Sequence, residues 1–180
     1  MIHRIFAIDP SVNSCGWALF ENEDLLKSGT IRSLNDAPEH AYDDRVEWML
    51  LQLDQVLVDT QFFVSETETG NLYRSIVIEK PCQWGAYKST ASQHSGSLQV
   101  LTLLVGAMFG HFLGYLSTQV VLIPVSTWKG QLTKDITQRR MELKYLRKFK
   151  TNDEADAVGI GDYYYKNIQK YIEGNEKTNE

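Results

Sequence analysis

From Arg4 to Ile31 the chain alternates short apolar runs with turn-forming residues: RIFAI, CGWALFE and LLKSGTI, separated by DPSVNS and NED. That rhythm predicts three strands, Arg4 to Ile8, Cys15 to Glu21 and Leu25 to Ile31, joined as an antiparallel meander. The period then changes. Between Glu39 and Asp59, Val46, Met49, Leu50, Leu53, Val56 and Leu57 recur at helical spacing and predict an amphipathic helix. After a polar excursion, Ser75 to Glu79 (SIVIE) is short and mostly apolar, the signature of a buried central strand. A long apolar helix follows from about Leu98 to Leu116, then another buried strand in VVLIPV, a basic helix, and a last helix opening in TNDEADAVGIGDYYY. The order β-β-β-α-β-α-β-α-α predicts an α/β fold with a mixed five-stranded sheet flanked by helices, three antiparallel N-terminal strands being joined by two parallel ones. One domain over residues 1–170 is expected, with residues 171–180 as a frayed tail.

The stretch LQVLTLLVGAMFGHFLGYL contains no Asp, Glu, Lys or Arg. Its length suits a bilayer span. Gln99, Thr102 and His111 interrupt it, no Lys/Arg cluster flanks it, and the strands on either side belong to one sheet, so no membrane association is expected. Gly106, Gly110 and Gly114 bare one face of this helix. That face suits either close packing on the sheet or a homodimer interface through the Leu98 to Leu116 helix.

With 180 residues and 43% apolar content the chain has enough material for a core, which excludes disorder and a disulfide scaffold. Cys15 and Cys82 are the only cysteines, and no charged-then-apolar leader precedes the first apolar run, so a cytoplasmic setting is expected. His3, His40, His94 and His111 are scattered and give no zinc pattern. A net charge of -5 argues against a polyanionic partner until its distribution is read. Lys129, Lys134, Arg139, Arg140, Lys144, Arg147, Lys148 and Lys150 face only Asp135 and Glu142 within one segment. A basic segment on an acidic chain is a usable nucleic-acid footprint, although such runs also occur as solvated helix faces.

The acidic side carries the chemistry. Asp9 ends the first strand (FAIDP) and Glu79 ends a central one (IVIEKP). Asp153 and Asp156 lie three residues apart on one face of the last helix, whose start Asn152 is expected to cap. Each carboxylate alone is readily explained as a cap or an ion-pair partner. Four of them, from three separated segments, would repel strongly unless a cation or proton lay between them. Hard oxygen ligands in that number suit Mg²⁺, or Mn²⁺ in its place. Two such ions about 3.5 to 4 Å apart clamp the attacking water and the leaving oxygen of a phosphodiester, a chemistry shared by many nucleases. Glu154 points away from the pair and is expected to be dispensable.

In order along the chain, IDPSVNSCGWALF, VIEKP, IPVSTWK and DEADAVGI resemble the four signature regions of the RuvC-type Holliday junction resolvases of the RNase H-like superfamily. The resemblance spans nearly the whole chain and suggests a divergent, phage-type member, hence a host cytoplasm. It implies a homodimeric, Mg²⁺-dependent endonuclease with two ions per site that nicks opposing strands of a four-way DNA junction symmetrically. It also implies Asp9, Glu79, Asp153 and Asp156 as catalytic metal ligands, with Lys129 and Lys134 beside the scissile phosphate; Arg139 and Arg140 are expected to bind DNA as part of the basic segment. Ser11 stands where the family usually has glycine. Cys82 stands where cellular members carry an aromatic residue that stacks at the junction centre. Trp84 or Tyr87, in a loop with Lys88, would take the DNA contact there, since an aromatic face stacks on any base.

An alternative within this fold is a nuclease acting on flaps, forks or packaging intermediates. From another class, the Asp-bearing strand turn also resembles the phosphate hairpin of actin-like ATPases and sugar kinases. Those need a second glycine-rich phosphate loop and about twice this length.

Overall fold

The computed structural model describes residues 2–33, 42–64, 72–81 and 97–167. Trp84, Tyr87 and Lys88, the polar insert at residues 65–71 and the tail at residues 171–180 lie outside the described residues. The N-terminal meander is present as β1 (Ile2–Asp9), β2 (Ser14–Glu21) and β3 (Asp24–Arg32). Then come α1 (Tyr42–Asp59), β4 (Leu72–Lys80), α2 (Ser97–Leu113), β5 (Thr118–Pro124), a single turn α3 (Val125–Trp128), α4 (Lys134–Tyr145) and α5 (Asn152–Lys166).

The five strands form one mixed sheet in the order β3-β2-β1-β4-β5. β1 pairs antiparallel with β2 and β2 with β3, while β1–β4 and β4–β5 are parallel. The hairpin between β2 and β3 turns at Asn22, whose φ of 54° suits a residue that tolerates the left-handed region. Its side-chain carbonyl accepts from the His3 backbone N–H at 3.1 Å, tying the turn to β1.

Side chains alternate across a strand, so each strand feeds two cores. Phe6, Ile8, Ile76 and Ile78 face α1 and α2, against Met49, Leu53, Leu57, Leu104, Met108 and Phe112. Ile5, Ala7, Val77 and Ile123 face the other way, against Ala155, Val158, Ile160 and Tyr164 of α5. This parity places the site. Odd-numbered positions of β1 and β4 look toward α5, and both strands end with an odd-numbered carboxylate, Asp9 and Glu79. Parallel pairing in the register Ile8↔Ile78 brings those two ends side by side.

Several boundaries differ from the sequence expectation: β1 and β4 are longer, β4 beginning at Leu72 rather than Ser75, and two helix ends are placed otherwise. Helix α2 stops at Leu113 rather than Leu116, because the Gly114 and Tyr115 amides reach back only three residues, to the His111 and Phe112 carbonyls, and the chain turns at Ser117 with φ 58°. The cap of α5 is Thr151, not Asn152: its hydroxyl accepts from the Glu154 N–H at 3.1 Å while Thr151 itself keeps extended backbone angles. On α2, the buried residues Leu104, Val105, Met108 and Phe112 face the sheet, whereas a Cβ built on Gly106 or Gly110 would meet nothing within 4 Å. The glycine face therefore does not pack on the sheet. None of the described helices is long and apolar enough to cross a membrane.

Candidate active site

Asp9 and Glu79 at the ends of β1 and β4 meet the first turns of α5 because β2 lets that helix approach. Gly16 lies opposite Asp9 in the β1–β2 register, and a Cβ there would sit 2.0 Å from the Asp153 carbonyl oxygen. Only a residue without a side chain admits this contact. The helix start is fixed from the other side by Glu154, which is 4% exposed. One of its oxygens accepts from the Ser28 hydroxyl at 2.7 Å and the other from the Lys150 N–H at 2.9 Å. Glu154 thus turns away from the other acids, as its helical position suggests, and it ties β3 to α5.

The remaining acids share one field. Asp9 is buried, and burial together with the charges of Glu79, Asp156 and Asp153 pushes its carboxyl well above the usual carboxylate range. Glu79 is pushed up to about 7, first by burial and then by Asp156, against the pull of the Trp128 hydrogen bond, Lys129 and Lys134. Burial also raises Asp156, although Lys129 opposes the shift. These are the shifts expected of carboxylates crowded in a poorly solvated pocket.

Three neighbours temper the crowding. Lys129 Nζ donates to Asp156 Oδ2 at 2.5 Å, in an ion pair whose lysine side chain is only 9% exposed. Lys134 Nζ lies 3.4 Å from Asp153 Oδ1 with its side chain 58% exposed. Burial alone would lower the Lys134 ammonium, yet Asp153, Asp9 and Asp156 hold it above its ordinary value. The third neighbour, Trp128, was not singled out by the sequence. Its indole N–H donates to Glu79 Oε2 at 2.7 Å, and its ring lies over Gly159, where a Cβ would come within 2.6 Å. The chain leading from β5 through α3 thus sends adjacent residues, Trp128 and Lys129, to two different carboxylates.

Among the described residues, no three His, Cys, Asp or Glu side chains stand close enough together to form a ready-made metal cage. The donor set nevertheless fits a hard divalent cation. It consists of carboxylates alone, their charges raise one another, and Asp156 Oδ1 is buried without a hydrogen-bond partner, an oxygen still owed a ligand. Asp9, Glu79, Asp153 and Asp156 are the residues that would hold it.

Of the other sequence candidates, Arg139 and Arg140 stand exposed on α4, and Trp84, Tyr87 and Lys88 fall outside the described residues.

No protein-family model matches the sequence, nor does any curated protein. Solved structures do match in three dimensions. The Thermus thermophilus RuvC bound to a Holliday junction substrate superposes with a TM-score of 0.65 at 13% identity, over 94% of this chain and 96% of that one. A second Thermus thermophilus RuvC structure gives 0.54 at 13% identity and the same coverage. The yeast mitochondrial Holliday junction resolvase Ydc2 gives 0.52 at 11% identity, over 98% of this chain and 84% of that one. Together with the mixed sheet and its flanking helices, the likeness establishes that this chain has the RNase H-like fold of the RuvC-type Holliday junction resolvases.

Proposed function

We propose that this protein is a divalent-metal-dependent endonuclease that resolves four-way DNA junctions by paired, symmetric nicks, acting as a homodimer. The observation that carries the reading is the convergence of Asp9, Glu79 and Asp156 from β1, β4 and α5 into one field that raises all three carboxyls. A fold shared with a protein solved on a Holliday junction supports the substrate class. Two Mg²⁺ ions, or Mn²⁺ in their place, would be held by Asp9, Glu79, Asp153 and Asp156 and would supply an activated water and charge stabilisation for the leaving oxygen.

The chain's own residues do the rest. Trp128 fixes the rotamer of Glu79 and Lys129 that of Asp156, so both carboxylates are oriented before substrate arrives. Lys134, the more exposed of the two lysines, meets the phosphate beside the scissile bond. Arg139 and Arg140 carry positive charge outward along α4, where a DNA arm would leave the site. The bare face of α2, with Leu103 and Leu113 exposed beside Gly106 and Gly110, is the surface for the second copy. Two copies related by a twofold axis would present two sites to a twofold-symmetric junction.

The test is cleavage of labelled four-way junction, fork and linear duplex of matched sequence in Mg²⁺. The expected result is symmetric nicks in opposing strands of the junction, with fork and duplex cut far more slowly. Equal rates on all three would overturn junction selectivity, and no cleavage in either Mg²⁺ or Mn²⁺ would overturn the nuclease reading.

A further inference from the structure

A groove of about 580 Å³ runs between β3 and the segment entering α5, on the flank of the carboxylate pocket. Arg32 lines it from the strand, and Arg147, Lys148 and Lys150 line it from the segment between α4 and α5. Its one acid is Glu154, and both oxygens of that carboxylate are already spent on Ser28 and the Lys150 N–H. Lys148 pairs with Glu142 at 2.8 Å. Among the described residues, Arg32, Arg147 and Lys150 form no ion pair. The groove therefore carries four cationic side chains against the single carboxylate of Glu154, and its net charge is positive.

Its placement is set by register. Thr30 on its wall pairs with Gly16, and Gly16 pairs with Asp9, so the groove lies two strands across from the first carboxylate. Strands are about 4.8 Å apart, which puts it about 10 Å away. The first turn of α5 covers Gly16 between the pocket and the groove, so a backbone must pass around that turn, and at about 3.4 Å per phosphate it reaches the groove no sooner than about three nucleotides from the pocket. The Thr30 and Thr151 hydroxyls, hydrogen-bonded at 2.8 Å, join β3 to the start of α5 and fix the two walls relative to each other.

We propose that this groove is a second phosphate-binding track, gripping the DNA backbone at least about three nucleotides from the cleaved bond. The proposal rests on the nuclease reading for the identity of its ligand. It is separate from that reading in the residues it uses, since none of Arg32, Arg147 and Lys150 touches the carboxylates. The track would fix the direction in which one arm leaves the site, and it would act on any base sequence.

The experiment compares the full-length wild type with Arg147→Ala/Lys150→Ala, with Arg32→Ala, and with Lys27→Ala on β3 outside the groove. The probe is a fluorescent four-way junction, with binding measured in Ca²⁺ or without a divalent cation over a salt series. For the double variant, affinity should fall more than tenfold and the slope of log K against log salt should become shallower by about two contacts. Arg32→Ala should change both in the same direction by about half, and Lys27→Ala should match the wild type. An unchanged slope and affinity in the double variant would overturn the track and assign the groove to some other anion, such as an acidic protein segment. The nuclease reading fails separately, by absence of cleavage in wild-type protein; wild type that does not bind DNA would overturn both.

Discussion

At the scale of single residues, the site is defined by what each carboxylate is denied. Asp9, Glu79 and Asp156 are shielded from water and face one another, so their charged forms are costly until a cation joins them. Asp9→Asn, Glu79→Gln or Asp156→Asn should abolish cleavage while junction binding in the gel stays within a few-fold of wild type, because the basic surface is untouched. Retained cleavage in one of them would remove that residue from the site. Trp128→Phe keeps a ring over Gly159 but removes the donor to Glu79. Outer partners of metal-ligating groups are worth about 10 to 100-fold, so Trp128→Phe should lose that much activity and need more Mg²⁺ for half-maximal rate, with melting temperature little changed. Loss of activity with an unaltered Mg²⁺ dependence would refute its positioning role.

The four acids were legible in the sequence because each ends or opens an element whose period is plain. Asp9 and Glu79 stood out as carboxylates ending apolar strands, and spacing of three put Asp153 and Asp156 on one face of a helix; that Asp9 and Glu79 share a face of the sheet came from the register. Trp128 was not legible, since its partner is 49 residues away and only the tertiary fold brings the indole to it. Glu154 was legible as a residue turned away from the pair. Its ties to β3 were not, because Ser28 lies 126 residues from it in the chain.

Among the elements, the packing of α4 against α5 depends on one buried acid. Asp162 receives Lys144, Tyr145 at 2.9 Å and Lys166 at 2.9 Å. Burial alone would raise its carboxyl, but these three donors hold it below the usual value. A depressed folded value means that its stabilisation is present above the unfolded value of about 3.9 and is lost as pH falls through the folded one. Asp162→Asn should therefore be less stable than wild type at neutral pH by about 1 to 3 kcal/mol, and the gap should narrow in denaturation measured below about pH 4. A gap independent of pH would show that the ion pairs do not carry it. Element existence and type followed from periodicity, including the switch from alternation to helical spacing after Arg32, except for the single turn α3, which is too short to show a period. The ends of α2 and the cap of α5 did not, because they are settled by which backbone amides find partners, a matter of a single hydrogen bond each.

For the whole molecule, the open question in the sequence was what the glycine-striped helix faces. The fold turns Leu104, Val105, Met108 and Phe112 to the sheet and leaves Gly106 and Gly110 bare, with the half-exposed Leu103 and Leu113 alongside. A second copy packed there would bring backbones close, and a bulky side chain would hold them apart. If the proposed dimer forms through this face, Gly110→Leu should shift it toward monomer in light scattering and, by parting the two sites, slow paired nicking more than single nicking. A wild type that is monomeric, or an oligomer unchanged by the substitution, would remove this face as the contact.

By itself the sequence determined the class of fold, the order of its longer elements and the acids at their ends. Those follow from local hydrophobic period and from residue types that stand at element boundaries. Tertiary structure alone decided which face of α2 is free, that Gly16 is where α5 meets the sheet, that Trp128 and Lys129 hold two separate carboxylates, and that Arg32 joins the basic segment in one groove. Each of these depends on strand register and on contacts between residues far apart in the chain, which no local pattern encodes.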